Sequence, residues 1–197
     1  MNKCFLIFFI TASGCRTNYD PTTPEGSHNL FIRAFTGHDY GEVYPLLMQE
    51  TRAAFLEYVK NTKSVVALIR SQYPEEARAG AIDNLSIPFK KGSFTYEEIE
   101  SAQSNEEIFT RLCQKMFDGN QNVSMMQEYG TKIDKIEFET PGQAVIYTLA
   151  EEKLVYKLES DGIWRTDDIF GRNFVELAKV SRKNLEITQA NVVLFDK

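Results

Sequence analysis

Histidine and cysteine are scarce in this chain, and their scarcity excludes several classes of site. The 197 residues include two histidines and three cysteines. They contain no HExxH or CxxC motif and no cluster of histidine and cysteine with zinc-ligand spacing. Glycine-rich phosphate loops are also missing, and a serine or cysteine nucleophile would lack a nearby histidine base. The sequence therefore identifies no metal ligands, no cofactor and no catalytic residues.

Long apolar runs and basic stretches are missing too. The run Phe5–Ile10 is short, and no other approaches the ~20 residues of a transmembrane helix. The net charge is −6, with acidic and basic residues interspersed, which disfavours nucleic acid as a partner. The composition, 43% hydrophobic and 25% charged, is typical of a globular protein. We therefore expect one folded domain that does not span a membrane.

The first fifteen residues have the layout of a processing segment. Lys3 precedes the run Phe5–Ile10, and the small residues Ala12–Gly14 lead to Cys15. A cation, a short apolar run and small residues in this order are typical of a secretory signal. A buried first strand is the alternative interpretation, because a short apolar run also matches a core strand.

This segment resembles a bacterial lipoprotein signal. The resemblance implies that residues 1–14 are removed and that Cys15 becomes the new N-terminus, carrying a diacylglycerol and a further acyl chain such as palmitate. It also implies residence in the bacterial cell envelope, with the membrane as a partner. Arg16 follows the cysteine where an aspartate would favour the inner membrane, so the outer membrane is favoured. The polar stretch 15–23 is predicted to be a tether.

Helical patterns dominate the next part of the chain. Thr23 and Pro24 predict the start of a helix that ends at Gly37. Two further helices are predicted, one capped by Thr51 and one over residues 64–73. Ser104 and Glu107 form a capping box before a helix that carries Cys113. We expect Cys113 to be a small buried hydrophobe rather than a reactive thiol.

From Lys132 onward the apolar period changes to two. Alternating residues around Ile136, a Pro141–Gly142 turn, a run at 144–149 and a third alternating segment at 153–159 predict consecutive strands. A second turn leads into residues 163–169. These segments predict an antiparallel meander. The fold class is therefore α+β, with N-terminal helices packed on the sheet.

The order of these elements resembles NTF2-like proteins, which have a cystatin-like α+β domain. The resemblance is carried by Thr23–Gly26 at the start of the first helix, by Phe35 and Gly37–Tyr40 at its end, and by Gly162–Ile169. It implies a single domain over 24–197, with a curved antiparallel sheet that forms a cone around helices. A helical insertion of about residues 64–130 would then interrupt that fold.

Two functions stay open at this point. One is a membrane-anchored, non-catalytic module that binds a small apolar ligand or an envelope protein. The alternative is a small pocket enzyme of the ketosteroid-isomerase or polyketide-cyclase type, in which an Asp, a Tyr or a His in the cone moves protons. A desolvated Asp or His facing a cavity beside a Tyr would favour the enzyme, whereas a cone filled by Phe, Leu and Trp164 would favour the module. The candidate residues are His38, Asp39, Tyr40, Tyr147 and Asp168, and neither His28 nor His38 has a convincing partner in the sequence.

Replacing Cys15 with serine is expected to abolish incorporation of a fatty-acid analogue, because lipoprotein modification requires the thiol. Metabolic labelling of cells that express the chain measures this loss. The matched control is Cys4→Ser, which removes a cysteine of the predicted signal segment and should leave the label in place. Label retained in Cys15→Ser, or missing from the unaltered chain, would favour the buried-strand interpretation.

Overall fold

The computed structural model describes residues 19–85, 87–89, 92–117, 132–168 and 170–195, which form seven α-helices and six strands. The α+β class that the sequence predicts is therefore confirmed. The predicted signal segment and Cys15 lie outside the described residues. The helices are α1 (Pro24–Thr36), α2 (Tyr40–Val43), α3 (Gln49–Gln72), α4 (Glu75–Asp83), α5 (Tyr96–Ser101), α6 (Asn105–Phe117) and α7 (Gly171–Phe195). The strands are β1 (Ile87–Phe89), β2 (Gly92–Phe94), β3 (Ile133–Thr140), β4 (Gln143–Thr148), β5 (Lys153–Leu158) and β6 (Trp164–Arg165).

Helix α1 begins where the sequence predicts. The Thr23 hydroxyl accepts a hydrogen bond from the Gly26 amide at 3.0 Å, and Pro24 occupies the first turn, where its missing amide proton costs nothing. A Cβ at Gly26 would lie 1.9 Å from the Asp20 carbonyl oxygen. Gly26 is therefore required by the close approach of the chain that enters the helix.

Strands β3 to β6 form a four-stranded antiparallel sheet in sequence order, as the period of two predicts. One face carries a buried cluster formed by Ala144, Ile146, Tyr156 and Trp164. The Ser27 hydroxyl of α1 donates to the Trp164 carbonyl on β6, so the first helix lies on this face. Strand β6 has only two residues and pairs through Lys157 with Arg165 and through Leu158 with Trp164.

The largest core is aromatic and lies among the helices. Phe55 of α3 contacts Phe174 of α7 with ring centroids 5.0 Å apart, and Phe109 of α6 lies 5.3 Å from Phe170. Phe35 brings α1 into the same cluster at 6.0 Å from Phe170. Rings at these separations gain both apolar burial and edge contacts. Cys113 is fully buried in this cluster, as predicted.

Helices α3 and α7 run side by side in the same direction. Phe55 contacts Phe174 near their starts, Asn61 donates to Ser181 at 3.2 Å midway, and Tyr73 meets Phe195 at 4.9 Å near their ends. Helix α3 is thus one element of 24 residues, and the prediction of two helices, capped at Thr51 and over 64–73, was wrong.

The middle of the chain is not helical throughout. Strands β1 and β2 form a small antiparallel hairpin between α4 and α5, which the sequence analysis missed. Residues 118–131, where the rest of the predicted insertion falls, lie outside the described residues. No described helix has both the length and the apolarity that are needed to cross a bilayer.

A buried arginine ties the sheet to α3. Arg165 is 3% exposed and binds Asp161 with two parallel hydrogen bonds of 2.7 and 2.6 Å. It also donates to Glu159 at 2.8 Å and to the Pro45 carbonyl at 2.7 Å. The Glu159 carboxylate in turn accepts from the Gln49 amide, the first of α3. Hydrogen bonding by Arg165 holds the pKa of Asp161 at about 2.

Replacing Asp161 with asparagine is expected to flatten the acid dependence of folding stability. Because the Asp161 pKa is about 2 in the folded chain, and is near 4 when unfolded, its stabilisation is complete above about pH 5 and lost as the pH falls toward 2. Urea midpoints measured from pH 5 to pH 2 should fall less steeply in Asp161→Asn. Asp83→Asn, the same change at an exposed carboxylate at the end of α4, is the matched control. Equal slopes for Asp161→Asn and the parent would contradict this account.

Candidate functional site

Polar side chains lie buried between α1 and the sheet. His28 on α1 and Tyr156 on β5 form a hydrogen bond of 3.1 Å between Nδ1 and the phenol oxygen, and their rings meet edge to face at 5.9 Å. His28 is 0% exposed and Tyr156 is 1% exposed. Ser27, the preceding residue, donates to the Trp164 carbonyl. The first two turns of α1 therefore bring a histidine and a hydroxyl against the sheet face that carries the Tyr156 phenol.

A carboxylate completes this region. Asp168 Oδ2 accepts hydrogen bonds from the Val155 amide at 2.7 Å and from the Thr166 hydroxyl at 3.2 Å. Although part of the residue reaches solvent, desolvation of the carboxylate raises the pKa of Asp168, and the two hydrogen bonds lower it in part. Burial, and to a lesser extent the charge of Asp168, raises the pKa of Tyr156. The Tyr156 side chain is thus a neutral phenol at physiological pH.

The residue types of this cluster are those used for proton transfer, but their burial between α1 and the sheet favours a structural role. An acid–base pair must reach the substrate proton directly or through one water. Here His28 faces the sheet from α1 and Tyr156 lies beneath that helix, so neither side chain reaches solvent. Buried polar groups that bond each other fix the orientation of the elements that carry them. We therefore interpret the pair as the polar part of the α1–sheet interface.

The remaining predicted candidates lie in separate places. His38 and Asp39 are exposed at the turn between α1 and α2, and His38 Nδ1 is 3.1 Å from the hydroxyl of Tyr40. The Tyr40 ring is fully buried among the aromatic residues of the helices. Tyr147 is half-buried on β4, with Lys135 Nζ 4.4 Å from its ring centre. Of the five candidates, the structure brings Asp168 to the sheet region that also holds His28 and Tyr156.

The sequence predicts no partner for His28 and does not mark Tyr156 as a candidate. A signal for the burial of His28 was present in the sequence. His28 precedes Ile32 by four residues and Phe35 by seven, so all three share one face of α1, and that face is buried. A histidine on an apolar stripe requires a polar partner once it is buried. Tyr156 could be assigned as that partner only after the sheet was in place.

A cavity of about 210 Å³ lies elsewhere, between α3, the end of α4, β1 and α7. Its polar groups are hydroxyls and amides. Ser181 accepts from Asn61 and donates to the Ala178 carbonyl at 2.8 Å, and burial raises the pKa of the Tyr58 hydroxyl, which stays neutral. The lining residues are Tyr58, Thr62, Val65, Asn84, Leu85, Ile87, Leu177, Val180, Ser181 and Asn184.

This cavity can bind but brings together no groups for catalysis. Its described lining contains neither a carboxylate, a histidine nor a cysteine, so it offers no nucleophile with a base. Over the described ranges there is also no group of acidic, histidine and cysteine side chains that could hold a metal ion. The cavity thus suits a small uncharged molecule that is mostly apolar and accepts or donates one or two hydrogen bonds.

Comparison with known proteins gives no further assignment. No protein-family model, no curated protein and no solved structure matches this chain.

Replacing Tyr156 with phenylalanine is expected to lower the free energy of unfolding by about 1–2 kcal/mol, because the buried hydrogen bond between the Tyr156 hydroxyl and His28 Nδ1 is removed. Urea denaturation followed by circular dichroism measures this loss. Tyr147→Phe, on the other face of the sheet, should change stability by less than about 0.5 kcal/mol. A Tyr156→Phe variant more stable than the parent would contradict a structural role, since groups kept for activity are often held at a cost in stability.

Proposed function

We propose that this chain is a lipid-anchored, non-catalytic binding module of the bacterial cell envelope, attached through Cys15 and built on an NTF2-like domain. The layout of residues 1–15 supports the anchor. A capped first helix that lies on a four-stranded antiparallel sheet supports the family resemblance. Outer-membrane residence follows from Arg16 as part of the same proposal.

The observation that carries the binding role is the contrast between the covered sheet face and the cavity. Ser27 and His28 of α1 bond Trp164 and Tyr156, and both of these sheet residues are buried beneath the helix. The His28 and Tyr156 side chains are therefore enclosed, whereas Asp168 lies at the surface beside them. The cavity beside α7 offers space for a ligand and has a neutral lining. Space without acid–base groups favours binding over turnover.

The size of the cavity limits its ligand. A dry apolar cavity of about 150 Å³ is large enough for benzene, and drug-sized ligands need roughly 300 Å³ or more. At about 210 Å³ the cavity falls between these limits. The hydroxyl of Thr62 already donates to the Tyr58 carbonyl at 2.8 Å, so the wall is mostly satisfied without a ligand. We therefore propose a ligand with one or two small rings and no charge.

A small pocket enzyme is the second candidate, and His28, Tyr156 and Asp168 are the observation in its favour. A carboxyl group whose pKa is raised, close to a phenol that contacts a histidine, can serve acid–base chemistry. That activity would require α1 to move away from the sheet. Turnover of a ring ketone that disappears in a folded Tyr156→Phe variant would establish the enzyme and contradict the binding module.

Filling the cavity is expected to weaken binding of indole, a neutral probe with one hydrogen-bond donor, by at least about tenfold. Val180→Phe places a larger side chain in the lining, whereas Val193→Phe makes the same change at an exposed position of α7 outside the lining. Ligand-observed NMR with the unaltered chain and both variants measures the dissociation constants. Equal affinities in all three proteins, or no binding to the unaltered chain, would contradict a ligand site here.

A further inference from the structure

The stretch between Cys15 and the folded domain is short. Tyr19 already contacts the domain, with the Arg33 guanidinium 5.9 Å from its ring centre. The Pro21 carbonyl accepts a hydrogen bond from the Trp164 amide at 3.0 Å. Residues 19–23, which the sequence analysis assigned to the tether, are thus bound to α1 and the sheet. Only residues 16–18 separate Cys15 from the first contact.

The reach of this stretch can be bounded. An extended chain advances at most about 3.6 Å per residue, so Cys15 lies within about 14 Å of Tyr19 and about 22 Å of Pro21. The polar interface of a bilayer is itself roughly 5–8 Å thick on each side. If Cys15 carries acyl chains that insert in the bilayer, the region around Pro21 must therefore lie near the membrane surface. This step rests on the lipid attachment in the proposed function.

The region around Pro21 is apolar and partly exposed. Trp164, which binds the Pro21 carbonyl, is paired across the sheet with Leu158, and its ring lies 5.8 Å from that of Phe138. Phe138 is 61% exposed and Leu158 is 40% exposed. Trp164 itself is buried, and Pro21, Phe138 and Leu158 lie around it at the surface. We call these three residues, Pro21, Phe138 and Leu158, the entry patch, because the chain enters the domain there.

We propose that the entry patch is a membrane-contacting surface, which rests on the bilayer that holds the Cys15 lipid. The short tether brings this face of the domain to the lipid. The exposed Phe138 and Leu158 can bury apolar surface at the headgroup boundary, where aromatic rings are favoured.

The charges beside the entry patch favour contact through apolar groups. Arg165 is occupied by Asp161 and Glu159, so its charge is compensated within the domain. Glu139 follows Phe138 on the same strand and is exposed, and the Asp161 side chain is 51% exposed. Anionic headgroups would repel these carboxylates. The exposed Lys157, directly before Leu158, offsets part of this repulsion, so contact should be at least as strong on zwitterionic lipid as on anionic lipid.

The test measures which face of the lipid-modified full-length protein touches lipid. Phe138→Cys and Leu158→Cys place a thiol in the entry patch, and Val193→Cys is the control at an exposed position near the far end of α7. Cys113 is buried and Cys15 is acylated in the mature protein, so a nitrobenzoxadiazole label attaches to the introduced thiol. The labelled proteins are reconstituted in phosphatidylcholine vesicles, with and without a lipid that carries a nitroxide near its headgroup.

We expect the nitroxide lipid to quench the label at least twofold at positions 138 and 158, with little quenching at 193. Either patch variant is sufficient if the other fails to fold. Mass spectrometry first confirms that the protein is acylated. In acylated protein, equal quenching at all three positions, or no quenching at 138 and 158, would overturn the membrane contact and leave the anchor intact. A label whose emission is blue-shifted but not quenched would assign the entry patch to a protein contact, and this result would also overturn the membrane contact. A Cys15 without acyl chains would overturn the proposed anchor together with this inference.

Discussion

The peptide groups of Trp164 connect three parts of the molecule. Its amide donates to the carbonyl of Pro21, and its carbonyl accepts from the hydroxyl of Ser27. The entering chain, the start of α1 and the short strand β6 are thus joined at one residue, while the indole packs against Phe138. Because β6 has two residues, its ladder alone would hold it weakly. The direction of α1, and the delivery of Phe35 to the aromatic core, depend on this junction.

How much of the fold could be predicted follows from how local each signal is. Thr23 and Pro24 mark the start of α1, and the period of two after Lys132 marks the sheet, because both signals need only neighbouring residues. The local sequence did not predict that α3 is one continuous helix. Asn61 and Thr62 interrupt its apolar pattern, but α7 lies beside them, and Ser181 accepts a hydrogen bond from Asn61. A tertiary partner thus makes a polar interruption compatible with one helix.

The candidate sites depended on such distant contacts even more. His28 and Tyr156 are 128 positions apart, so their pairing follows from docking of α1 on the sheet and from no local pattern. The cavity has Val180 and Ser181 of α7 and Tyr58 and Thr62 of α3 in its wall, so it forms only when two helices far apart in the sequence pack together. Residue type alone carries no information on the distance between side chains. Candidates chosen by residue type, such as Asp39 and Tyr147, therefore lie in separate parts of the structure.

Native-state amide exchange at Trp164 tests the central claim most directly, since the claim is that its peptide groups hold the entering chain, α1 and the sheet together. NMR would follow the Trp164 amide and the amide of Phe31 within α1. The account predicts that both exchange only through global unfolding, with the free energy that urea denaturation gives. A Trp164 amide that exchanges through a smaller local opening, while the Phe31 amide keeps the global value, would contradict it.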